Sequence, residues 1–203
     1  MIRYRYNCVD DQNILEYYSK DPEYSDWYKI VRNILRKKEF QKRRLFMHHE
    51  NESLWTHSIK VSFESYKFAK NHGINSYNCA IAGILHDFYT EAWQYTEELE
   101  SLNKKYRRRF IEKRKEKFTE LHGIHHPIVA LENSRKYFKK YLNRNIENAI
   151  VTHMFPLCIF TKYKLPNCKE SFVITFIDKK VSINLENAKE LGKYVGLVKV
   201  NSK

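Results

Sequence analysis

The feature that most restricts the fold of this chain is an apolar stripe in residues 76–88. Apolar residues recur there at spacings of three and four, which indicates the buried face of an α-helix. They are Tyr77, Ala80, Ile81, Ile84, Leu85 and Phe88. His86 and Asp87 stand in the last turn of the same stripe. A buried carboxylate is costly unless it is compensated, and a divalent metal ion is a common compensation. The stripe therefore predicts a helical core with a polar centre.

Chain length and turn residues favour the same class. The chain has 203 residues but only 5 Gly and 4 Pro, too few for the many tight turns of an all-β sandwich or barrel. A chain of this length is one domain by default. We predict a single all-α domain over residues 1–203 with seven to nine helices, a core at about 45–185 and a basic helical insertion at about 95–120.

Helical patterns extend over most of the chain. The predicted helices span residues 24–46, 53–72, 76–88, 91–119, 127–142, 145–154 and 186–195. Ser53 is the expected N-cap of the second helix, Gly73 its stop, and Pro127 the first residue of the fifth. The stretch 171–183 is ambiguous because its β-branched residues favour a strand. Since no second convincing strand is present to pair with it, we predict a nearly fully buried helix there.

The net charge of +13 is concentrated in two segments. Residues 36–44 carry six basic and one acidic residue, and residues 104–117 carry nine basic and two acidic residues. Two such patches fit an anionic partner such as a phosphate ester, a nucleotide or a nucleic acid. A solvated helix face is the alternative reading of each patch.

Several absences indicate the compartment. No apolar run approaches the roughly 18 residues of a membrane span, and the first residues lack the apolar stretch of a secretory signal. The four scattered cysteines have no C-x-x-C pairing, which is typical of a reduced protein and argues against a cysteine-based zinc site. We predict a soluble cytoplasmic protein with no membrane partner, in which Cys79 is a small core residue. The oligomeric state stays open.

Further histidines and one aspartate stand in apolar surroundings. His57 lies between Trp55 and Ile59, His153 follows an Ala-Ile-Val run, and Asp178 follows Val-Ile-Thr-Phe-Ile. Together with residues 86 and 87, four separate helices would each deliver one or two nitrogen or oxygen ligands from an apolar face. The alternative is that each polar residue only caps or pairs locally, and this explanation would have to apply four times over.

In this order the residues resemble the HD-domain superfamily of metal-dependent phosphohydrolases, whose pattern is H…HD…H…H…D on an all-α scaffold. The resemblance covers about residues 45–185. The segments that carry it are WTHSIKVS, AGILHDF, HGIHHPIVA, AIVTHMFPL and ITFIDKKVS. The Gly-Tyr-Pro motif of the branch that hydrolyses cyclic di-GMP is absent, so that substrate is not carried over.

The resemblance implies a metal centre inside the bundle. A first metal would be held by His57, His86, Asp87 and Asp178, with Asp87 as the bridging carboxylate, and a second by His126 and His153. His86 and Asp87 would be the catalytic pair. His126 is preferred as the third-motif histidine because H-P-x-x-Ala matches the family pattern. His122 is the runner-up, and His125 is expected to face solvent.

The implied activity is hydrolysis of a phosphate ester or anhydride, with a nucleotide as the expected substrate, by metal-activated water. The cofactor would be one or two divalent ions, with Fe, Mn, Mg, Co and Zn not distinguished. The candidate substrate-binding residues are Lys60, Arg107, Arg108, Arg109 and Lys113, although a solvent-facing Lys60 is the plainer reading. Two alternatives stay open: a basic nucleic-acid-binding protein with a structural metal, and a di-iron oxygenase on the same fold.

Overall fold

The computed structural model describes residues 9–49, 52–89, 122–163 and 165–183. These ranges contain eight α-helices and one small antiparallel hairpin. The helices are α1 (Val9–Ser19), α2 (Tyr24–Leu35), α3 (Lys38–Gln41), α4 (Leu54–Asn71), α5 (Ser76–Leu85), α6 (His122–Phe138), α7 (Arg144–Thr152) and α8 (Lys169–Ser182). The strands are β1 (Met47–His49) and β2 (Glu52–Ser53). The prediction of a mostly helical protein is confirmed, whereas the hairpin was not predicted.

Helices α4 and α5 pack closely against each other in the centre of the molecule. A Cβ atom placed on Gly83 of α5 would lie only 2.7 Å from the Cα atom of Ser62 on α4, so only glycine fits this contact. The Ser62 hydroxyl donates to the carbonyl of Ala80 at 2.7 Å and accepts from the indole nitrogen of Trp27 at 2.9 Å. A serine with both roles satisfied joins α2, α4 and α5 in the core.

Capping residues define where the central helices begin. The Ser53 hydroxyl accepts the Thr56 N–H at 3.2 Å, as the sequence predicts for the N-cap of α4. The chain leaves α4 through Gly73, whose φ of +64° is a conformation that glycine adopts without strain. The side chain of Asn143 caps α7 by accepting the N–H groups of Asn145 and Ile146, each at 3.0 Å.

A buried polar cluster joins the starts of α5, α7 and α8. The Glu170 carboxylate is 5% exposed and accepts the Asn78 amide at 2.9 Å and the Asn145 amide at 3.3 Å. Asn143 in turn donates to the side-chain oxygen of Asn78 at 2.9 Å. Burial raises the pKa of Glu170, but the hydrogen bonds outweigh burial and lower it, so the group is a carboxylate. The three helices therefore start from one point.

Three predicted helix boundaries or environments are wrong. The helix predicted over 24–46 ends at Leu35, because Lys37 adopts an extended backbone and lets Phe40 turn into the core. Pro127 lies inside α6 rather than at its start, since packing of the preceding turn through buried Ile124 stabilises an earlier beginning at residue 122. Helix α8 has one buried face only, and Phe172 on its other face is 57% exposed.

Two predicted helices, 91–119 and 186–195, lie outside the described residues. No helix within the described ranges is both long enough and apolar enough to cross a membrane.

Candidate metal centre

Six of the predicted residues meet inside the bundle, and each residue is at most 7% exposed. Their nitrogen and oxygen atoms form three overlapping groups in which all atoms lie within 4.8 Å of one another. The groups are His57 with His86 and Asp87, His86 with His153 and Asp178, and Asp87 with His126 and His153. Because the groups share members, they form one continuous centre that could hold a metal ion.

Asp87 lies between three imidazoles. Its Oδ1 atom is 3.2 Å from Nε2 of His126 and 3.4 Å from Nε2 of His153. Its Oδ2 atom is 3.4 Å from Nε2 of His86. The two carboxylate oxygens thus face different histidines, which is the arrangement that a bridging carboxylate requires.

Asp178 forms the second acidic side of the centre. Its Oδ1 atom lies 3.0 Å from Nε2 of His57 and 3.4 Å from Nε2 of His86. His86 therefore stands between the two carboxylates, and its Nε2 atom is equidistant from the nearest oxygen of each. Asp178 comes from α8 and His57 from the first turns of α4, so this side closes the gap between the two helices.

Helix ends orient two of the histidines. His86 directly follows α5 and its Nδ1 atom lies 2.7 Å from the carbonyl oxygen of Gly83, while His153 directly follows α7 with Nδ1 2.7 Å from the carbonyl of Ile150. The last carbonyls of a helix have no intrahelical partner, so they are free to accept. Because a carbonyl only accepts, Nδ1 carries the hydrogen and the neutral ring presents a lone pair at Nε2. These Nε2 atoms point into the centre.

The carboxylates and imidazoles of the centre favour each other's charged forms. Burial raises the pKa values of Asp87 and Asp178, but the surrounding histidines hold both well below the usual range. Burial lowers the pKa of His57, yet the carboxylates of Asp178 and Glu52 outweigh burial and raise this pKa to about 10. The pKa of His86 is raised by the same two aspartates against the effect of burial. Two buried negative charges thus require two positive charges nearby.

A divalent cation could take the place of the protons on these imidazoles. The Nε2 atoms of His126 and His153 lie 3.0 Å apart, and two lone pairs at that distance repel unless a proton or a cation stands between them. Burial lowers the pKa of His153, which disfavours the proton. The buried Nε2 atom of His86 has no well-aligned hydrogen-bond partner among the described residues. Imidazole and carboxylate donors without thiolate suit Fe, Mn, Co, Zn or Mg.

The structure describes the side chains of two of the three candidates for the third-motif histidine. His126 is 7% exposed and lies against Asp87 and His153, as the preferred assignment requires. His125 faces solvent, as predicted. His122 begins α6, but its side chain lies outside the described residues.

The predicted substrate-binding residues are placed differently or fall outside the description. Lys60 is partly exposed and its Nζ atom lies 2.7 Å from Oε1 of Glu52, so its charge is already paired with a carboxylate. Arg107, Arg108, Arg109 and Lys113, with the whole basic insertion at about 95–120, lie outside the described residues. Their predicted contact with substrate stays a prediction.

The first basic segment, 36–44, is only partly a surface patch. Arg43 is 2% exposed, with its guanidinium carbon 4.0 Å from the ring centre of Phe88. Arg44 lies over the ring of Trp55 at 3.5 Å. These two cations are used in packing, which reduces the charge that the segment offers to an anionic partner.

Two residues near the centre were not predicted. Glu52 of β2 lies 3.7 Å from Nδ1 of His57. Tyr89 is 3% exposed and its ring lies edge-on to His126, with the ring centres 5.8 Å apart. Tyr89 had a signal in the sequence, since it stands two residues after Asp87. Glu52 had no comparable signal, because its approach to His57 depends on the hairpin that precedes α4.

Comparison of the chain with protein-family models, with curated proteins and with solved structures found no match. The function of the chain is therefore inferred from the geometry of the centre and from the order of its residues in the sequence.

Proposed function

We propose that this chain is a metal-dependent phosphohydrolase of the HD-domain type, which hydrolyses a phosphate ester or anhydride, with a nucleotide as the expected substrate. The observation that carries the proposal is the convergence of six residues, which follow the order H…HD…H…H…D in the sequence, on one centre of overlapping groups. The six residues are far apart in the sequence but lie together in the structure. Their agreement supports one site rather than four separate local pairings.

The centre divides into two halves that share Asp87. Asp87 groups with His57 and His86 on one side and with His126 and His153 on the other, and Asp178 lies against His57 and His86. Bound divalent ions would supply an activated water as nucleophile and would stabilise the charge on the phosphoryl oxygens. The fixed Nδ1–H tautomers of His86 and His153 keep their Nε2 lone pairs inward, so these ligands are oriented before any ion arrives.

The charge of the chain's own groups suits an anionic substrate. The two aspartates balance one divalent ion, and a second ion leaves the centre positive, which attracts a phosphate group. Burial strengthens this attraction because the effective dielectric constant is low around the centre. This attraction of the phosphate group requires no contact between the substrate and Lys60 or the basic insertion, and no nucleic acid.

Metal content tests the proposal first. Protein purified without chelators is analysed for metals as wild type and as Asp87→Asn, with Asp26→Asn as a matched control, because Asp26 is an exposed carboxylate paired with Lys29 on α2. We expect one or two ions per wild-type and control chain, and loss of at least one in Asp87→Asn. Far-UV circular dichroism of each variant verifies the fold.

Turnover tests the reaction class. Nucleotides and phosphodiesters are screened with Mn²⁺, Fe²⁺, Co²⁺, Mg²⁺ and Zn²⁺, and phosphate release is expected for wild type and control but not for Asp87→Asn. Absence of metal binding under all conditions refutes the proposal. Iron-dependent oxygen consumption without phosphate release, or salt-sensitive binding of nucleic acid without turnover, refutes it in favour of an oxygenase or a nucleic-acid-binding protein.

A further inference from the structure

The histidines of the candidate metal centre differ in the group that lies next to Nδ1, the ring nitrogen that faces away from the centre. His86 and His153 each stand at the C-terminal end of a helix and meet a backbone carbonyl of their own chain segment at 2.7 Å. His57 stands at the opposite end of its helix, four residues after the N-cap Ser53. The first turn of a helix has unpaired N–H groups, whereas unpaired carbonyls belong to its last turn, so Nδ1 of His57 stands in a different setting from those of His86 and His153.

Glu52 supplies a carboxylate at this position. It is the first residue of β2, immediately before the N-cap, and its Oε2 atom lies 3.7 Å from Nδ1 of His57. His57 is fully buried and the Glu52 side chain is 14% exposed. The short hairpin formed by β1 and β2 thus places a negative charge behind His57, on the side away from Asp178.

Lys60 fixes the same carboxylate from its other oxygen. The Nζ atom of Lys60 lies 2.7 Å from Oε1 of Glu52. Glu52 thus has one oxygen toward the ammonium group of Lys60 and the other toward the imidazole of His57.

We propose that Glu52 is a positioning residue of the metal centre: it accepts the Nδ1 hydrogen of His57 and so presents the Nε2 lone pair to the metal, while Lys60 holds Glu52 in place. This inference rests on the proposed function in one respect, namely that His57 is a metal ligand. Outer-shell carboxylates of this kind fix the tautomer and orientation of a ligating histidine and raise its basicity. Lys60 then has a role in assembling the centre rather than in contacting substrate.

Metal affinity tests this directly, without turnover. The dissociation constant of Co²⁺ is measured by competition with a chelator, and the visible spectrum of the Co²⁺ complex reports the ligand field. We expect Glu52→Ala to weaken Co²⁺ binding by about 10- to 100-fold and to change the spectrum. Glu52→Gln keeps an acceptor oxygen without the charge and is expected to fall between Glu52→Ala and wild type. Lys60→Met is expected to weaken binding less than Glu52→Ala.

A matched control and a double variant separate positioning from general damage. Asp21 pairs with Lys67 of the same helix α4, so Asp21→Ala removes a comparable ion pair and is expected to leave Co²⁺ affinity unchanged. In a His57→Ala background, adding Glu52→Ala is expected to produce no further loss, because the effect passes through His57. A further loss of the full size there overturns the proposal, as does equal affinity of Glu52→Ala and wild type. If the wild-type protein binds no Co²⁺, the proposed function fails instead.

Discussion

Replacing Gly83 by alanine tests the close contact on which the centre depends. A Cβ atom at this position would lie 2.7 Å from Cα of Ser62, 3.0 Å from its nitrogen and 3.1 Å from the carbonyl oxygen of Val61. All three are backbone atoms of α4, so no side-chain rotation relieves the overlap. Ordinary contact begins at 3.4 Å, and α4 and α5 must therefore separate by about 0.7 Å.

The expected cost follows from two opposing effects. Overpacking of a core costs about 1–3 kcal/mol, and the upper end applies here because the backbone cannot yield locally. Alanine in a helix interior recovers about 1 kcal/mol relative to glycine. We expect Gly83→Ala to lower the free energy of unfolding by about 2 kcal/mol, which for a chain of this size lowers Tm by about 4–8 °C. Both values are measured by urea and thermal denaturation.

The same substitution is expected to weaken metal binding. The Gly83 carbonyl accepts the Nδ1 hydrogen of His86 at 2.7 Å, and Val61 lies one turn beyond His57 on α4. Separation of the helices therefore moves two ligands apart. Gly123→Ala in α6 is the control, since the nearest atoms there are side-chain atoms at 3.4 Å and 3.7 Å and the expected change is neutral or slightly stabilising. A Gly83→Ala protein within about 0.5 kcal/mol of wild type would refute the packing argument.

Three further predictions concern helix starts and pH. Asn143→Ala removes the cap of α7 and a hydrogen bond to Asn78, and is expected to lower the free energy of unfolding by about 2 kcal/mol. Asn75→Ala removes only the capping bond at the N-cap of α5 and is expected to cost about 1 kcal/mol. Equal losses in urea denaturation would contradict this. Glu170→Ala leaves the buried Asn78 amide and the partly buried Asn145 amide without their acceptor, and is expected to cost about 2–3 kcal/mol, with Glu170→Gln milder. A loss below about 0.5 kcal/mol in Glu170→Ala would argue against the polar cluster. The pKa of His57 is raised from 6.5 to about 10, so its contribution to the stability of the chelator-treated protein is full below pH 6.5 and is lost as the pH rises to about 10. Urea denaturation across that range should show this fall in wild type and a flatter profile in His57→Gln, and a rise in wild type would contradict it.

The helical class was predictable because the signals are local. Three local signals each determine structure within a few residues, and each agrees with the structure. They are the spacings of three and four in residues 76–88, the serine at the N-cap of α4 and the glycine after the end of α4. The preference for a helix over a strand in residues 171–183 was also correct. It depended on the lack of a partner strand, which is a property of the whole chain rather than of the segment.

The errors arise where packing at a distance overrides the local pattern. Nothing between residues 36 and 46 forbids a continued helix, yet Phe40 and Arg43 both reach Phe88 only if the chain turns at Lys37. Phe172 and Phe176 lie in an apolar run that suggests burial all round, but their positions on α8 face outward. Periodicity identifies the stripe of a helix and does not say how many neighbours cover it.

The candidate site was predictable as a set of residues but not as a geometry. The order of its histidines and aspartates singled out six positions, and all six side chains lie together in the structure. The partners behind those side chains were not predictable in the same way. Whether Lys60 meets a substrate phosphate or Glu52 depends on the hairpin that precedes α4, and a hairpin of five strand residues has almost no sequence signal.

One regularity of the sequence explains how three ligands reach the same place. Asn78, Asn145 and Glu170, which join the starts of α5, α7 and α8, each stand eight residues before a member of the centre, namely His86, His153 and Asp178. Eight residues of helix span about 12 Å. The three helices are joined at the same height in the bundle. Their ligands therefore also lie at one common height, about 12 Å further along the helices. The polar cluster sets the register of the helices, and the close α4–α5 contact at Gly83 adds His57 from the fourth. The centre is thus specified by spacing within each helix as much as by contacts between the ligands themselves.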